Sequence, residues 1–511
     1  MRATVVAAVA ACALLLSACS GAPEPTEPST PPASAIVSKP TGEKVPAAVA
    51  RYYHQVLQWT GCSTGLECTK ASVPLDWSHP TRGAISIALV RQPALSGTSK
   101  GSLLIDPGGP GASGVDFVEQ DLGGADLTLQ QNYDIVGFDP RGVGHSTEVT
   151  CYSGAQLSRY YYDTKPGTIG STAWVAADVK QQSAFAKACA KNTGALLGHV
   201  DTISAARDMD VLRAALGDAK LNYLGYSYGT KLGLEYAGLF PKKVGRFVLD
   251  SVLDPNVSGE DFDIDQAQGW EDELQQYLAA CLPDPKTCPF TGTIAQGDAE
   301  LTALFASVEA TPLRNKDGRL LNASNLGLAV IQGLYAPQLW PSMSMALKAT
   351  MKRSAGPAFA LADEYNDLQG NGQYSNSTEA YYAVMCLDES FPDKPAAMRG
   401  EATILDTVAP VMGPYFAYQN TTCGSWAYPR KVKSAPIVAK GSGPILLLSA
   451  THDPATPHQW AEDVAKTLDN GHLITRVGNG HGSYNQGNAC IDTTVDNYFV
   501  DGTVPAADPM C

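Results

Sequence analysis

Residues 221–241, LNYLGYSYGTKLGLEYAGLFP, constrain the fold of this chain more than any other stretch. An apolar run leads into Gly225-Tyr226-Ser227-Tyr228-Gly229, and a segment with helical spacing follows. G-x-S-x-G between a strand and a helix describes a sharp turn that lifts the serine hydroxyl above the edge of a sheet. Side chains at the two flanking positions would strike neighbouring backbone, so both are glycine. The helix N-terminus adds partial positive charge where an oxyanion would develop. Ser227 is therefore the candidate nucleophile; a small residue in a tight turn is the competing reading.

The rest of the chain supplies a matching frame. AISIALVRQ, GSLLID and YDIVGFD read as strands, the last two ending in the turns DPGGPGASG and PRGVGHS. ISAARDMDVLRAALG has the spacing of an amphipathic helix with Ser204 as its N-cap. After the serine helix come strand VGRFVLDS and, near the C-terminus, strand PILLLSA, helix HQWAEDVAKTL, strand HLITRV and a last helix around 484–500. Continuous apolar strands separated by helices predict an α/β fold with a mostly parallel sheet covered on both faces. Between 254 and 435 the rhythm gives way to helical patterns such as QAQGWEDELQQYLAACL and SMSMALKATMKRSAGPAFALADEYNDL. That segment reads as a largely helical cap over the C-terminal edge of a sheet built from 47–253 and 436–511.

A serine hydroxyl needs a base, itself oriented by a carboxylate. On a nucleophile of this kind the acid and then the histidine follow down the chain. PILLLSATHDPATP offers Asp453 just past a strand, and RVGNGHGSY offers His481 in a glycine-bounded loop. His452, His458 and His472 are the rival bases, Asp250 and Asp254 the rival acids. Two backbone N–H groups would hold the oxyanion: that of Tyr228, and that of Gly109 in DPGGPGASG, since Pro110 has none. No phosphate-loop pattern competes for these glycines.

The N-terminus points to export. Arg2 precedes ATVVAAVAACALLL, shaped like a signal sequence and too short to span a bilayer, and it ends in Leu16-Ser17-Ala18-Cys19. This reads as a lipobox: residues 1–19 would direct export, and Cys19 would carry lipid on the outer face of the membrane. Residues 20–46, rich in Pro, Ser and Thr, read as a disordered tether. Of twelve cysteines, Cys12 leaves with the signal and Cys19 takes lipid. The remaining ten suit disulfides in an oxidising compartment. Sequential pairing is the simplest of many: Cys62–Cys68, Cys151–Cys189, Cys281–Cys288, Cys386–Cys423 and Cys490–Cys511. No pair of CxxC units suggests zinc. A net charge of −15 argues against nucleic acid, and membrane contact is expected only through the lipid.

DPGGPGASG, DIVGFDPRGVGHS, GYSYGT, HDPATP and GNGHG, in this order from about residue 50 onward, resemble the secreted actinobacterial tripeptidyl aminopeptidases of the proline-iminopeptidase branch of α/β-hydrolases. The resemblance implies an α/β-hydrolase with an inserted cap, a triad of Ser227, Asp453 and His481, an oxyanion hole of Gly109 and Tyr228, and no metal or organic cofactor. It implies release of short peptides from free N-termini through an acyl-enzyme; the chain is expected to be a monomer. Asp106 stands where proline iminopeptidases have histidine before the glycines, so strict proline specificity is not implied. A free N-terminus calls for a negative partner, and VMCLDES supplies Asp388 and Glu389 in the cap. The run Glu260, Asp261, Asp263 and Asp265 reads as an exposed face or a helix start, and Arg141 as a structural residue pinning its turn. A carboxylesterase or lipase on the same scaffold and a non-catalytic binding lipoprotein are the alternatives.

Overall fold

The computed structural model describes residues 36–392, 394–432 and 435–511. The signal, Cys19 and most of the tether lie outside them.

A ten-stranded sheet organises the molecule. Its strands are β1 (Ile36–Val37), β2 (Gln58–Ser63), β3 (Leu66–Pro74), β4 (Ala84–Gln92), β5 (Ser102–Asp106), β6 (Asp134–Phe138), β7 (Leu221–Tyr226) and β8 (Val244–Asp250). After a two-stranded hairpin, β9 (Leu313–Arg314) with β10 (Leu320–Leu321), the sheet is completed by β11 (Ile445–His452) and β12 (Gly471–Asn479). The spatial order is β1-β2-β3-β4-β6-β5-β7-β8-β11-β12. Strands from β6 to β12 pair in parallel, and β1 to β4 form an antiparallel flank.

Alternate residues of the parallel strands enter two separate cores. Leu104, Tyr223, Phe247, Leu249 and Leu447 pack on one face with helices Thr202–Leu216, Tyr228–Leu239 and His458–Thr467. Leu103, Ile105, Leu224, Val248, Leu446 and Leu448 pack on the other with helices Gly114–Asp121 and Ala489–Asp501. Burial on both faces explains why these strands read as continuous apolar runs.

A third core lies in the helical layer between β8 and β11, around Trp270, Leu274, Leu326, Val330, Leu347 and Phe359. It also takes Tyr162, Trp174 and Val175 from the connection between β6 and β7, so two stretches of chain build this cover. All five sequential disulfides are formed. Each closes a loop worth roughly 2 to 4 kcal/mol in the chain-entropy account.

Three local expectations need correction. Residues 36–46 are not tether: Ile36 and Val37 pair with β2, and Glu43 reaches Arg213 at 2.6 Å and also engages Lys243. Pairing and charge tie down a segment whose composition alone reads as disordered. The helix over 202–216 is capped by Asp201, whose side chain accepts from the Ser204 N–H, and Ser204 lies inside it. The helical pattern SMSMALKATMKRSAGPAFALADEYNDL is divided between two helices, Trp340–Met351 and Gly356–Tyr365, broken where Arg353 takes φ 63°, with Pro357 in the first turn of the second.

Candidate active site

Ser227 sits at the strand–helix turn with φ 56° and ψ −125°, a backbone conformation costly for any residue but glycine. The turn is held by the Ser227 N–H on the Asp250 carbonyl at 2.9 Å and the Thr230 N–H on the Ser227 carbonyl at 2.9 Å. The glycines around it are required by contact. A Cβ on Gly225 would lie 2.6 Å from the Gly229 carbonyl oxygen, and one on Gly229 would lie 2.7 Å from that of Asp106.

Asp453 and His481 meet directly. Nδ1 of His481 lies 2.8 Å from Oδ1 of Asp453. The same oxygen accepts from the N–H groups of Ala455 and Thr456 at 3.1 and 3.0 Å, and Oδ2 accepts from the Ser251 hydroxyl at 2.7 Å. Burial pushes the Asp453 carboxyl up, but the imidazole and these hydrogen bonds outweigh it and hold the group below its ordinary range. Burial pushes the His481 imidazole down, and the Asp453 charge more than offsets this, leaving it above its ordinary value.

The histidine loop is fixed from three sides. Arg476 Nη2 donates to the carbonyls of Asn479, Gly480 and Gly482 at 2.8 to 2.9 Å. Asp250 Oδ2 accepts from Ser483 and Tyr484, and Ser251 Oγ accepts from Gly482 at 2.7 Å. From the cover, the Tyr335 carbonyl accepts from the His481 N–H at 2.8 Å, and its ring stands edge-on to the imidazole at 5.7 Å. The elbow, the acid and the histidine loop thus converge on Asp250 and Ser251, at the C-terminal end of β8. The rival groups are engaged elsewhere: His452 with Asp272, His458 with Ser449, His472 with Asn470, and Asp254 with Asn256.

The glycine-rich turn after β5 passes over the elbow. A Cβ on Gly108 would lie 2.4 Å from the Tyr226 carbonyl oxygen and 2.9 Å from the Tyr228 nitrogen, so Gly109 is next to a residue in backbone contact with Tyr228. Asp106 is buried below, accepting from the Gly108 N–H at 2.8 Å, its carboxyl pushed up to about 7 chiefly by burial. On its outer side the turn meets the cover, where a Cβ on Gly111 would lie 2.4 Å from the Ser377 carbonyl oxygen and 3.1 Å from the Tyr381 nitrogen.

Residues 409–511 match the family model described as TAP-like protein. Across nearly the whole chain, three curated relatives align. Carboxylesterase B of Mycobacterium tuberculosis (strain ATCC 25618 / H37Rv) is 35% identical over 94% of each chain. Serine protease Hip1 of the same strain is 33% identical over 89% of this chain and 91% of its own. Tripeptidyl aminopeptidase of Streptomyces lividans is 30% identical over 91% of this chain and 88% of its own. The chain belongs to the tripeptidyl-aminopeptidase-like α/β-hydrolases. It is a serine hydrolase.

Within this tripeptidyl-aminopeptidase-like hydrolase, the carboxylates singled out for a substrate amine are occupied. Asp388 is fully buried; its oxygens take the N–H and hydroxyl of Thr202, and Lys231 Nζ lies 3.7 Å away. Glu389 is paired with the same lysine. Burial lifts Asp388 to about 6, partly offset by Lys231. Thr202 also bonds the Tyr228 hydroxyl, so this cluster braces the elbow helix from inside. The sequence shows that two acids are adjacent, but not that a lysine four residues past the nucleophile is buried against them. Arg141 is structural: wholly buried, it makes a two-pronged contact with Asp208 at 2.7 and 2.6 Å and reaches three carbonyls. The acidic run does start a helix, with Ser258 capping at the Asp261 N–H, but Asp263 turns inward and is 4% exposed.

Ser251 and Tyr335 have no counterpart in the sequence reading. Ser251 follows a strand that was legible, but only its φ of 61° turns its hydroxyl to Asp453. Tyr335 acts through a backbone carbonyl, which no residue type announces.

Proposed function

We propose that this serine hydrolase is an aminopeptidase releasing short peptides, three residues at a time, from free N-termini. Ser227 attacks the carbonyl, His481 takes its proton and returns it to the leaving amine, and Asp453 holds the imidazole and offsets its charge. The N–H groups of Gly109 and Tyr228 receive the oxyanion, and water then attacks the acyl-enzyme with His481 again as base.

The observation that carries this reading is the roof. The cover touches both the histidine loop, through Tyr335, and the oxyanion turn, through Ser377 and Tyr381. A roofed nucleophile favours a chain entering by its end over one lying across the site. The tripeptide step draws support from the relative named tripeptidyl aminopeptidase. The relative named carboxylesterase B supports a second reading, hydrolysis of esters.

Turnover of tripeptidyl p-nitroanilides, set against short-chain p-nitrophenyl esters, separates the two. Mass spectrometry of a peptide library should show a ladder of N-terminal tripeptides, and hydrolysis of esters alone would remove the peptidase reading. We further propose that the protein is exported, anchored on the outer face of the membrane through Cys19, and monomeric. Cys19→Ser should then move it from the membrane fraction to the soluble one.

A further inference from the structure

Within the cover the carboxylates of Asp263 and Glu401 are buried. Asp263 accepts with both oxygens from Asn420 Nδ2, at 2.9 and 2.8 Å. Glu401, 5% exposed on helix Pro395–Val408, is the charge that acts on Asp263 most strongly, and Glu260 is the one acting on Glu401. Among the described residues neither Asp263 nor Glu401 is in an ion pair. Among the described residues Glu401 Oε1 and Asn420 Oδ1, both buried, have no hydrogen-bond partner. Asn420 is itself 5% exposed, aimed at Asp263 through its Nδ2, with its carbonyl oxygen left over. The cluster borders the site. One turn on from Asp263 along the same helix, Gln266 Nε2 donates to the Ala455 carbonyl at 2.7 Å, two residues past Asp453; Tyr381 backs the oxyanion turn, and Tyr335 faces His481.

Buried carboxylates are ordinarily paired, because desolvation without a counter-charge costs several kcal/mol. Burial here lifts Glu401 to about 7 and Asp263 well above its usual range, so both would regain charge when a cation arrives. Three acceptors from three separate segments match the three N–H donors of a primary ammonium. We propose that Asp263, Glu401 and the Asn420 side-chain carbonyl bind the ammonium of the substrate's N-terminus, and that their fixed distance from Ser227 sets where the chain is cut. The assignment rests on the aminopeptidase reading and replaces Asp388 and Glu389.

The test measures kcat/KM for a tripeptidyl p-nitroanilide with a free amine and for its N-acetylated counterpart. The full-length wild type is compared with Glu401→Gln and Asp263→Asn. The wild type should prefer the free amine, and each variant should lose about 10- to 100-fold of that preference through KM, the range for a hydrogen bond to a charged group. In the wild type, KM for the free-amine substrate should climb above pH ~8, where an α-amino group loses its proton. Variants with a wild-type melting temperature and an unchanged preference would overturn this site while leaving the aminopeptidase reading standing. A wild-type KM that stays flat from pH 7 to 9 would overturn it without any variant. A wild type that cleaves only esters would overturn the aminopeptidase reading, and the site with it.

Discussion

Glu273, on the same long helix as Asp263, gives a prediction whose size can be worked out. Its side chain is fully buried, among the described residues neither oxygen is hydrogen-bonded because the nearby Gly480 N–H is spent on the His452 carbonyl, and its charged neighbours are Asp272, Asp453 and Arg476. Burial first, then the two aspartates, push its carboxyl up to about 9 from an ordinary 4.5. Below pH 4.5 the group is protonated in both folded and unfolded chains and costs nothing. As pH rises, the unfolded chain gains by ionising while the folded one cannot, and the loss accumulates until the folded group titrates near 9. At pH 7 the gap is about 2.5 pH units, which at 1.36 kcal/mol each is about 3 kcal/mol. Glu273→Gln keeps the shape and removes the titration. It should therefore stabilise the protein by up to about 3 kcal/mol at pH 7 and by almost nothing at pH 4. For a chain of this size the unfolding entropy is roughly 1 kcal/mol per kelvin, so the melting temperature should rise by about 3 °C. Calorimetry from pH 4 to 8 measures this. A gain equal at pH 4 and pH 7 would mean altered packing, and a loss at pH 7 would mean that Glu273 is ionised and paired, with Arg476 the nearest candidate; either result refutes the reasoning.

Three other outcomes follow from the site. Because His481 must be neutral to act as a base and its pKa is held above the ordinary value, kcat/KM should rise with pH through an apparent pKa above 6.5; Asp453→Asn should cut the rate by about 10⁴-fold, and pH–rate profiles check both. Lys231→Met would strip buried Asp388 of its cation and leave Glu389 only Arg430, at 3.9 Å, and chemical denaturation should show a loss of about 3 to 5 kcal/mol near neutral pH. Gly108→Ala places a Cβ 2.4 Å from the Tyr226 carbonyl oxygen at φ +92°; fluorophosphonate labelling of Ser227 should slow by about 10²-fold while circular dichroism keeps the fold.

Much of the core was legible because strands buried on both faces leave unbroken apolar runs: LNYLGY coincides residue for residue with parallel β7, and AISIALVRQ with β4, which is antiparallel but buried from Ile87 to Val90. QWTGCS and LECTKASVP carry no such run, since β2 and β3 belong to the antiparallel flank, and most of β2 is exposed. Ser227, Asp453 and His481 could be nominated as candidates because each follows a legible strand. The surroundings could not. A sequence records that Asp388, Glu389 and Asp263 are acidic, but whether each faces water, a lysine or an asparagine amide depends on how the cover folds. GEDFDID looks uniform, yet helix geometry sends Glu260 outward and Asp263 inward.

Because β8 and β11 are parallel neighbours, with Phe247 beside Ile445, a chain leaving the end of the first must run back about one strand length before it can enter the second. An engineer stripping this enzyme to an open-faced version could not splice the two with a tight turn. The replacement would need a crossover of a dozen residues or more. It would also have to begin after Ser251, whose hydroxyl belongs to Asp453.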